Sequence, residues 1–321
     1  MKKNIFEFRK NRHFDAIIED GFQFFSKNAK DIVTVIWKNN KILFTALSIL
    51  YILYLYFYLS FITVLADINT DDGQFYYKER LIWFILIFIL FILILLLFLP
   101  RFILSVFAYI KNYMDNDGNT VVAQISKEIK KSYGKIFGLF FLQFITYGFV
   151  IFIFSIVASI MITIKSSVLA FLLIIGFLIF LIYLSLFFLI LLPVYYFENV
   201  SIGEAVSRAG KYFKGNFWKV FGLVIVITII SWLLNMIFNL PLIFYLFFKE
   251  AWLSDTSVSF TYYLQADIFT SIISIISFIG EWVIRAMMLI ITTILYFSLR
   301  ESVTKERTKE KIEQIGINDE V

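Results

Sequence analysis

The chain has 321 residues, 60% of them hydrophobic and 20% aromatic, with a mean hydropathy of +0.85 and a net charge of +5. That composition lies outside the soluble globular range and within that of integral membrane proteins. There is no cysteine and one histidine, His13, so thiol nucleophiles, thiolate metal sites, disulfides and bis-histidine centres are excluded, and no cofactor or metal is expected.

The first 41 residues are basic and polar, with Met1-Lys2-Lys3 followed by mixed sequence rather than the apolar core of a cleavable signal peptide. Within them Phe14, Ile17, Ile18, Phe22 and Phe25 share a helical face opposite Asp15, Glu19 and Lys27, which reads as an amphipathic helix. Six apolar runs follow, each longer than the ~20 residues a spanning helix needs. They are Ile42–Ala66, Leu81–Ile110, Ile136–Ile164, Val168–Phe197, Val220–Phe248 and Ile268–Leu299. Pro100-Arg101 is expected to limit the spanning part of the second run to Leu81–Leu99, followed by an interfacial extension, with Pro100, like Pro193 near the end of the fourth, ending or kinking its helix.

Lysine and arginine counts in the connections orient the chain. The N-terminal segment holds nine, residues 111–135 five, residues 198–219 four and the C-terminal tail five; the three alternate connections hold four in all. Twenty-three against four, in strict alternation, predicts both termini on the cytoplasmic side of a bacterial inner membrane. The domain reading is therefore a cytoplasmic segment 1–41, a membrane domain 42–299 and a charged tail 300–321. Basic residues beside spans attract anionic lipid headgroups, a better account of them than nucleic acid.

The chain also looks repeated. Lys41-Ile42-Leu43-Phe44, Lys135-Ile136-Phe137-Gly138-Leu139 and Lys219-Val220-Phe221-Gly222-Leu223 each enter a span after an amphipathic stretch. In the second stretch Val121, Val122, Ile125 and Ile129 oppose Lys127, Lys130 and Lys131; in the third Ile202, Ala205, Val206 and Ala209 form the apolar face. The expected fold is all-α, with six transmembrane helices in three hairpin repeats, each preceded by a cytoplasmic amphipathic helix. Asp67–Gly73 departs from a calcium loop, since its glycine comes one residue late and Lys78 stands at position twelve, so a solvated turn is expected. Asp115-Asn116-Asp117-Gly118-Asn119 is likewise a turn signal.

One stretch carries a resemblance. Leu192-Pro193-Val194-Tyr195-Tyr196-Phe197-Glu198-Asn199-Val200-Ser201-Ile202-Gly203-Glu204-Ala205-Val206, continuing through Arg208 to Lys214-Gly215-Asn216-Phe217-Trp218, resembles the signature of the glycerophosphoryl diester phosphodiesterase membrane-domain family. The resemblance implies a six-helix membrane fold. It does not carry the enzymatic name across, because in fused members catalysis belongs to a separate soluble domain for which this chain has no room.

Chemistry is otherwise sparse. No Gly-x-Ser-x-Gly, Walker A loop or His-Glu-x-x-His occurs. The one candidate site is an intramembrane polar seam. Ser271, Ser274, Ser277, Glu281, Arg285 and Thr292 fall within a sector of about 120° on the sixth span, and Thr228, Ser231, Asn235 and Asn239 within roughly 80° on the fifth. Antiparallel packing puts Asn235 at the depth of Glu281 and Ser231 near Arg285. Charges at mid-membrane are costly, so the pair is expected to face a protein interior. It reads either as an intrahelical ion pair or as a polar cavity for a headgroup, ion or partner charge. The functional expectation is a non-enzymatic membrane subunit or scaffold with protein partners. The alternative is a transporter or lipid-handling protein using the seam; a membrane-embedded lipid enzyme is a third class.

Overall fold

The computed structural model describes residues 5–66, 71–164, 167–253 and 268–305. Among these residues there are seven helices and no strand: α1 (Phe14–Ala66), α2 (Asp71–Asp115), α3 (Val122–Ile164), α4 (Ser167–Phe197), α5 (Ile202–Phe213), α6 (Phe217–Leu253) and α7 (Ile268–Thr304). All but α5 are long and apolar enough to cross a membrane. Every expected span lies inside one of these six.

The helices are much longer than their spans. At 1.5 Å per residue the 53 residues of α1 extend about 80 Å, against a hydrocarbon core of ~30 Å. The boundaries expected at residues 41 and 299 fall inside α1 and α7. Two of the three amphipathic stretches, 14–25 and 121–129, run into the following span without a break. The third alone is a separate helix, because Gly215 at φ +82° turns the chain between α5 and α6. Pro100 does not end its helix, and α2 continues through it to Asp115. Proline removes one backbone donor; in an apolar setting, abandoning the rest of the helix would expose many more.

The chain forms two compact units: Met1–Ala29 with Leu104–Ile227 and Leu289–Val321, and Lys30–Ile103 with Thr228–Met288. In unit one two segments are enclosed on every face. Leu104 to Ile110 on α2 and Ile290 to Leu299 on α7 are buried throughout, polar Ser105, Thr293 and Ser298 included. Burial all round identifies the centre of a helical core rather than its rim. Shorter stripes close over it. Ile17, Gly21 and Phe24 of α1 lie at helical spacing, and Ile125, Ile129, Ile136 and Leu139 of α3 do the same. Each fully buried aliphatic or aromatic side chain contributes roughly 1.5–3 kcal/mol.

The buried stripe on α1 shares Ile17 with the expected face but leaves Phe14 exposed and Ile18, Phe22 and Phe25 half-buried. Its centre is Gly21, where an added Cβ would stand 2.4 Å from Cγ1 of Ile291. The glycine lets α1 approach α7, and having no side chain it gives no hydrophobic signal. On α5 the buried face is Ala205, Ala209, Tyr212 and Phe213, while Ile202 and Val206 are exposed. The turn expected at 115–119 is present. Asp117 and Gly118 adopt positive φ, Gly118 N donates to Tyr113 O at 2.9 Å, and Asn112 Oδ1 accepts from Val121 N at 2.8 Å to begin α3.

In unit two the aromatic rings of α1, α2 and α7 pack together. Phe98 lies 4.6 Å and Phe102 5.0 Å from Trp282 between ring centres, and Phe278 lies 4.8 Å from Tyr51. Helix α7 meets α6 where Ser277 Oγ donates to Phe238 O at 2.8 Å. One turn on, Gly280 leaves room for the Phe238 ring, which a Cβ would approach to 2.4 Å. Outward from this contact α1, α2 and α6 expose many large apolar side chains, among them Leu86, Ile89, Leu93 and Ile237.

Candidate functional site

Among the described residues each unit holds a Glu–Arg constellation, Glu198 with Arg208 in one and Glu281 with Arg285 in the other, and they differ in kind. The first is built by the 193–218 stretch. Pro193 and Val194 are buried in the last turn of α4, which ends at Phe197. Glu198 follows, and Asn199 at φ 49° reverses the chain. Ser201 then caps α5: its Oγ accepts from Glu204 N at 3.4 Å. The reversal folds the Glu198 side chain inward until only 2% of it is exposed.

Inside, donors converge on that carboxylate. Oε2 accepts from Arg208 Nη1 at 2.6 Å; Oε1 accepts from Tyr212 OH at 3.0 Å and from Tyr296 OH at 2.9 Å, with Arg300 Nε at 3.8 Å. Arg208 is shared with the exposed Glu204, 2.6 Å away and one turn back. Two carboxylates and two guanidiniums leave the cluster neutral. Hydrogen bonds donated to Glu198 and then to Glu204 hold the Arg208 guanidinium protonated well beyond its ordinary range. Burial first, and the Glu198 charge second, push the Tyr212 phenol above its usual value. Every neighbour donates, so the carboxylate's acceptor capacity is occupied by side chains of α5 and α7. The arrangement ties the end of α4 to α5 and α7, with three hydrogen bonds on a carboxylate that is 2% exposed.

The remaining residues of the stretch are equally structural. Ala205 is fully buried. Lys214 closes α5, its N donating to Gly210 O at 2.9 Å; Gly215 supplies the positive φ; Asn216 Nδ2 donates to Tyr212 O at 3.0 Å. Trp218 is 77% exposed on the first turn of α6, its ring 5.2 Å from that of Phe217.

A second buried ion in unit one has no counterpart in the sequence reading. Arg12, its side chain 2% exposed, donates Nε to Asp20 Oδ2 at 2.6 Å and Nη1 to Phe8 O at 2.8 Å; Nη2 reaches Glu7 O. Its backbone N donates to Ser298 Oγ at 3.0 Å, and its carbonyl accepts from Lys219 Nζ at 2.9 Å. In sequence Arg12 is one of nine N-terminal cations, and only the pairing with Asp20 eight residues later distinguishes it.

The expected seam lies in unit two, apart from Thr292, which belongs to unit one. Ser274 and Ser277 are buried, and Ser277 bonds α6. Asn239 Nδ2 donates to Asn235 O at 2.8 Å within its own helix, and Ser231, Asn235 and Asn239 are half-buried. The Ser277–Phe238 contact sets Asn235 level with the turn that holds Glu281. Glu281 and Arg285 form the i,i+4 ion pair, Nε donating to Oε1 at 3.1 Å and Nη2 to the same oxygen.

Their enclosure is where the structure departs from expectation. The Arg285 side chain is 54% exposed and that of Glu281 37%, so the pair lies on an open face of the chain. Among the described residues no hydrogen bond joins it to Ser231, Asn235 or Asn239. The azimuth on α7 is the one expected, but cover is lost beyond Gly280, and Arg285 lies over its own helix's Trp282 ring at 5.3 Å. No group of three His, Asp or Glu side chains among the described residues could hold a metal ion. No protein-family model, curated protein or solved structure matches this chain.

Proposed function

We propose that this chain is a non-catalytic, multi-pass subunit or scaffold of a bacterial inner-membrane assembly, with both termini cytoplasmic. The observation that carries the reading is the use of its buried charge. Glu198 and Arg12 are neutralised by nearby residues, Arg208 and Asp20, while Tyr296 on the Glu198 carboxylate and Ser298 on the Arg12 backbone N tie each to α7, so the deepest polar chemistry of unit one holds the chain together. Catalytic acids and bases must be reached by substrate, and both of these side chains are only 2% exposed. The alternating lysine and arginine counts support the orientation. The resemblance of residues 192–218 to the phosphodiesterase membrane domains points the same way, toward a membrane module without the enzyme. Partners meet it through the exposed aliphatic faces and the basic helix ends.

The test is gentle extraction of the full chain from its native membrane followed by mass measurement of the intact particle. A stoichiometric protein partner is the expected result; a stable, partner-free monomer sinks the reading.

A further inference from the structure

The Glu281–Arg285 pair belongs to a level of unit two with a consistent chemistry. Contacts of Trp282 with Phe98 and Phe102 bracket Arg101 of α2, and Phe44 lies 5.9 Å from Phe98 and 6.1 Å from Trp37. Trp37, Lys38, Lys41, Arg101, Trp282 and Arg285 therefore lie within about two helical turns of one level. Lys38 and Lys41 are exposed, as are Arg285 and Trp37. Tryptophan with lysine and arginine is the composition of a membrane–water boundary. The spacing agrees: from Arg80 to Arg101 along α2 is 21 residues, about 31 Å, the thickness of a hydrocarbon core. On this spacing the open ion pair is at headgroup depth rather than mid-membrane, which accounts for its exposure.

Beside it is a half-open cleft of about 100 Å³, walled by Val33, Trp37, Phe44, Phe102, Ile279 and Trp282. Its lining is almost wholly apolar, and its volume exceeds the ~30 Å³ share of one water. Trp282, 7% exposed, has an indole N–H with no acceptor among the described residues. We infer that this cleft seats an acyl chain of an anionic phospholipid whose phosphate lies on Arg285, Lys38 and Lys41. An apolar slot on a level that also carries exposed cations matches a ligand that is anionic at one end and aliphatic at the other. Four cations against one carboxylate at that level select a net negative headgroup over a zwitterionic one. An ester carbonyl is the kind of acceptor the indole lacks.

The experiment uses the full chain in nanodiscs of equal phosphatidylglycerol and phosphatidylcholine, read by native mass spectrometry of retained lipid. Phosphatidylglycerol is expected in excess. Arg285→Met alone should lower that excess about fivefold, the effect of one well-placed cation. Val33→Trp, at a position 40% exposed, should abolish retention with the unfolding temperature unchanged. A phosphatidylglycerol bearing a diazirine in its acyl chain should label Val33, Trp37 or Ile279, which reads the site even if Val33→Trp fails to fold. Equal retention of both lipids, labelling elsewhere, or displacement by soluble glycerol phosphate alone overturns the inference.

Discussion

The same two side chains, a glutamate and an arginine, are used in opposite ways in the two units. Glu198 pairs with an arginine ten residues away, is almost sealed from solvent and gathers two phenols and a second guanidinium; Glu281 pairs with an arginine one turn away and stays open. A buried carboxylate attracts its partners at low local dielectric and cannot lose one without stranding charge. An open pair is already solvated, and its geometry adds little. Contact between unlike charges therefore says nothing about importance until burial and the number of additional donors are counted.

That contrast can be broken by four measurements. Glu198→Ala should cost about 3–5 kcal/mol of stability in a thermal or denaturant melt, since two guanidiniums and two phenols lose their acceptor. If the protein melts as the parent does, unit one does not depend on the hub. Next come the two helix approaches. Gly280→Ala should cost about 1–3 kcal/mol, recovered largely by Phe238→Ala, because the added methyl meets only that ring. Gly21→Ala should be relieved less by Ile291→Ala, because the backbone Cα of Ile291 is also 3.3 Å from the new carbon. Equal rescue in the two units would contradict the packing described.

Tyr212→Phe should cost roughly 1–2 kcal/mol, a single hydrogen bond to a charged acceptor. It should also alter the alkaline limb of stability. The folded phenol holds its proton above its ordinary pKa while the unfolded chain releases it near ~10, so the contribution is complete below that pH and fades as pH rises further. The variant should lose stability less steeply above pH ~10 than the parent; parallel curves would remove Tyr212 from the network. Smallest of all, Glu281→Gln with Arg285→Met should change stability by under about 1 kcal/mol. A cost comparable to that of Glu198→Ala would mean the pair is buried against something in the membrane.

Much of this architecture was legible. Length and apolar character locate all six long helices, and the Asp117-Gly118 turn follows from residues that tolerate positive φ. The core of unit one was harder to see for a specific reason. The apolar runs around 104–110 and 290–299 are hydrophobic all round, and hydropathy does not distinguish a helix surrounded by lipid from one surrounded by protein. Gly21, the closest approach of α1 to α7, carries no side chain to reveal itself. The unbroken course of α1 had a signal in the absence of proline from residues 14 to 66. The Glu281–Arg285 pair was located on its helix by simple geometry, but its depth depends on where the other helices place their tryptophans and basic residues. Glu198 stood within the family-like stretch, yet its role requires Tyr296 and Arg300, about a hundred residues on.

That separation orders the assembly of the chain. Glu198 waits for Tyr296, 98 residues later, and Arg12 N for Ser298, 286 residues later. During synthesis both ions exist long before their last partners have left the ribosome, so the earlier hairpins must insert while this interior is still open. Completion of the final helix is then the event that locks unit one, and a nascent chain cut short before residue 296 would hold Glu198 by Arg208 and Tyr212 alone and leave the Arg12 backbone N without Ser298, a state open to proteolysis.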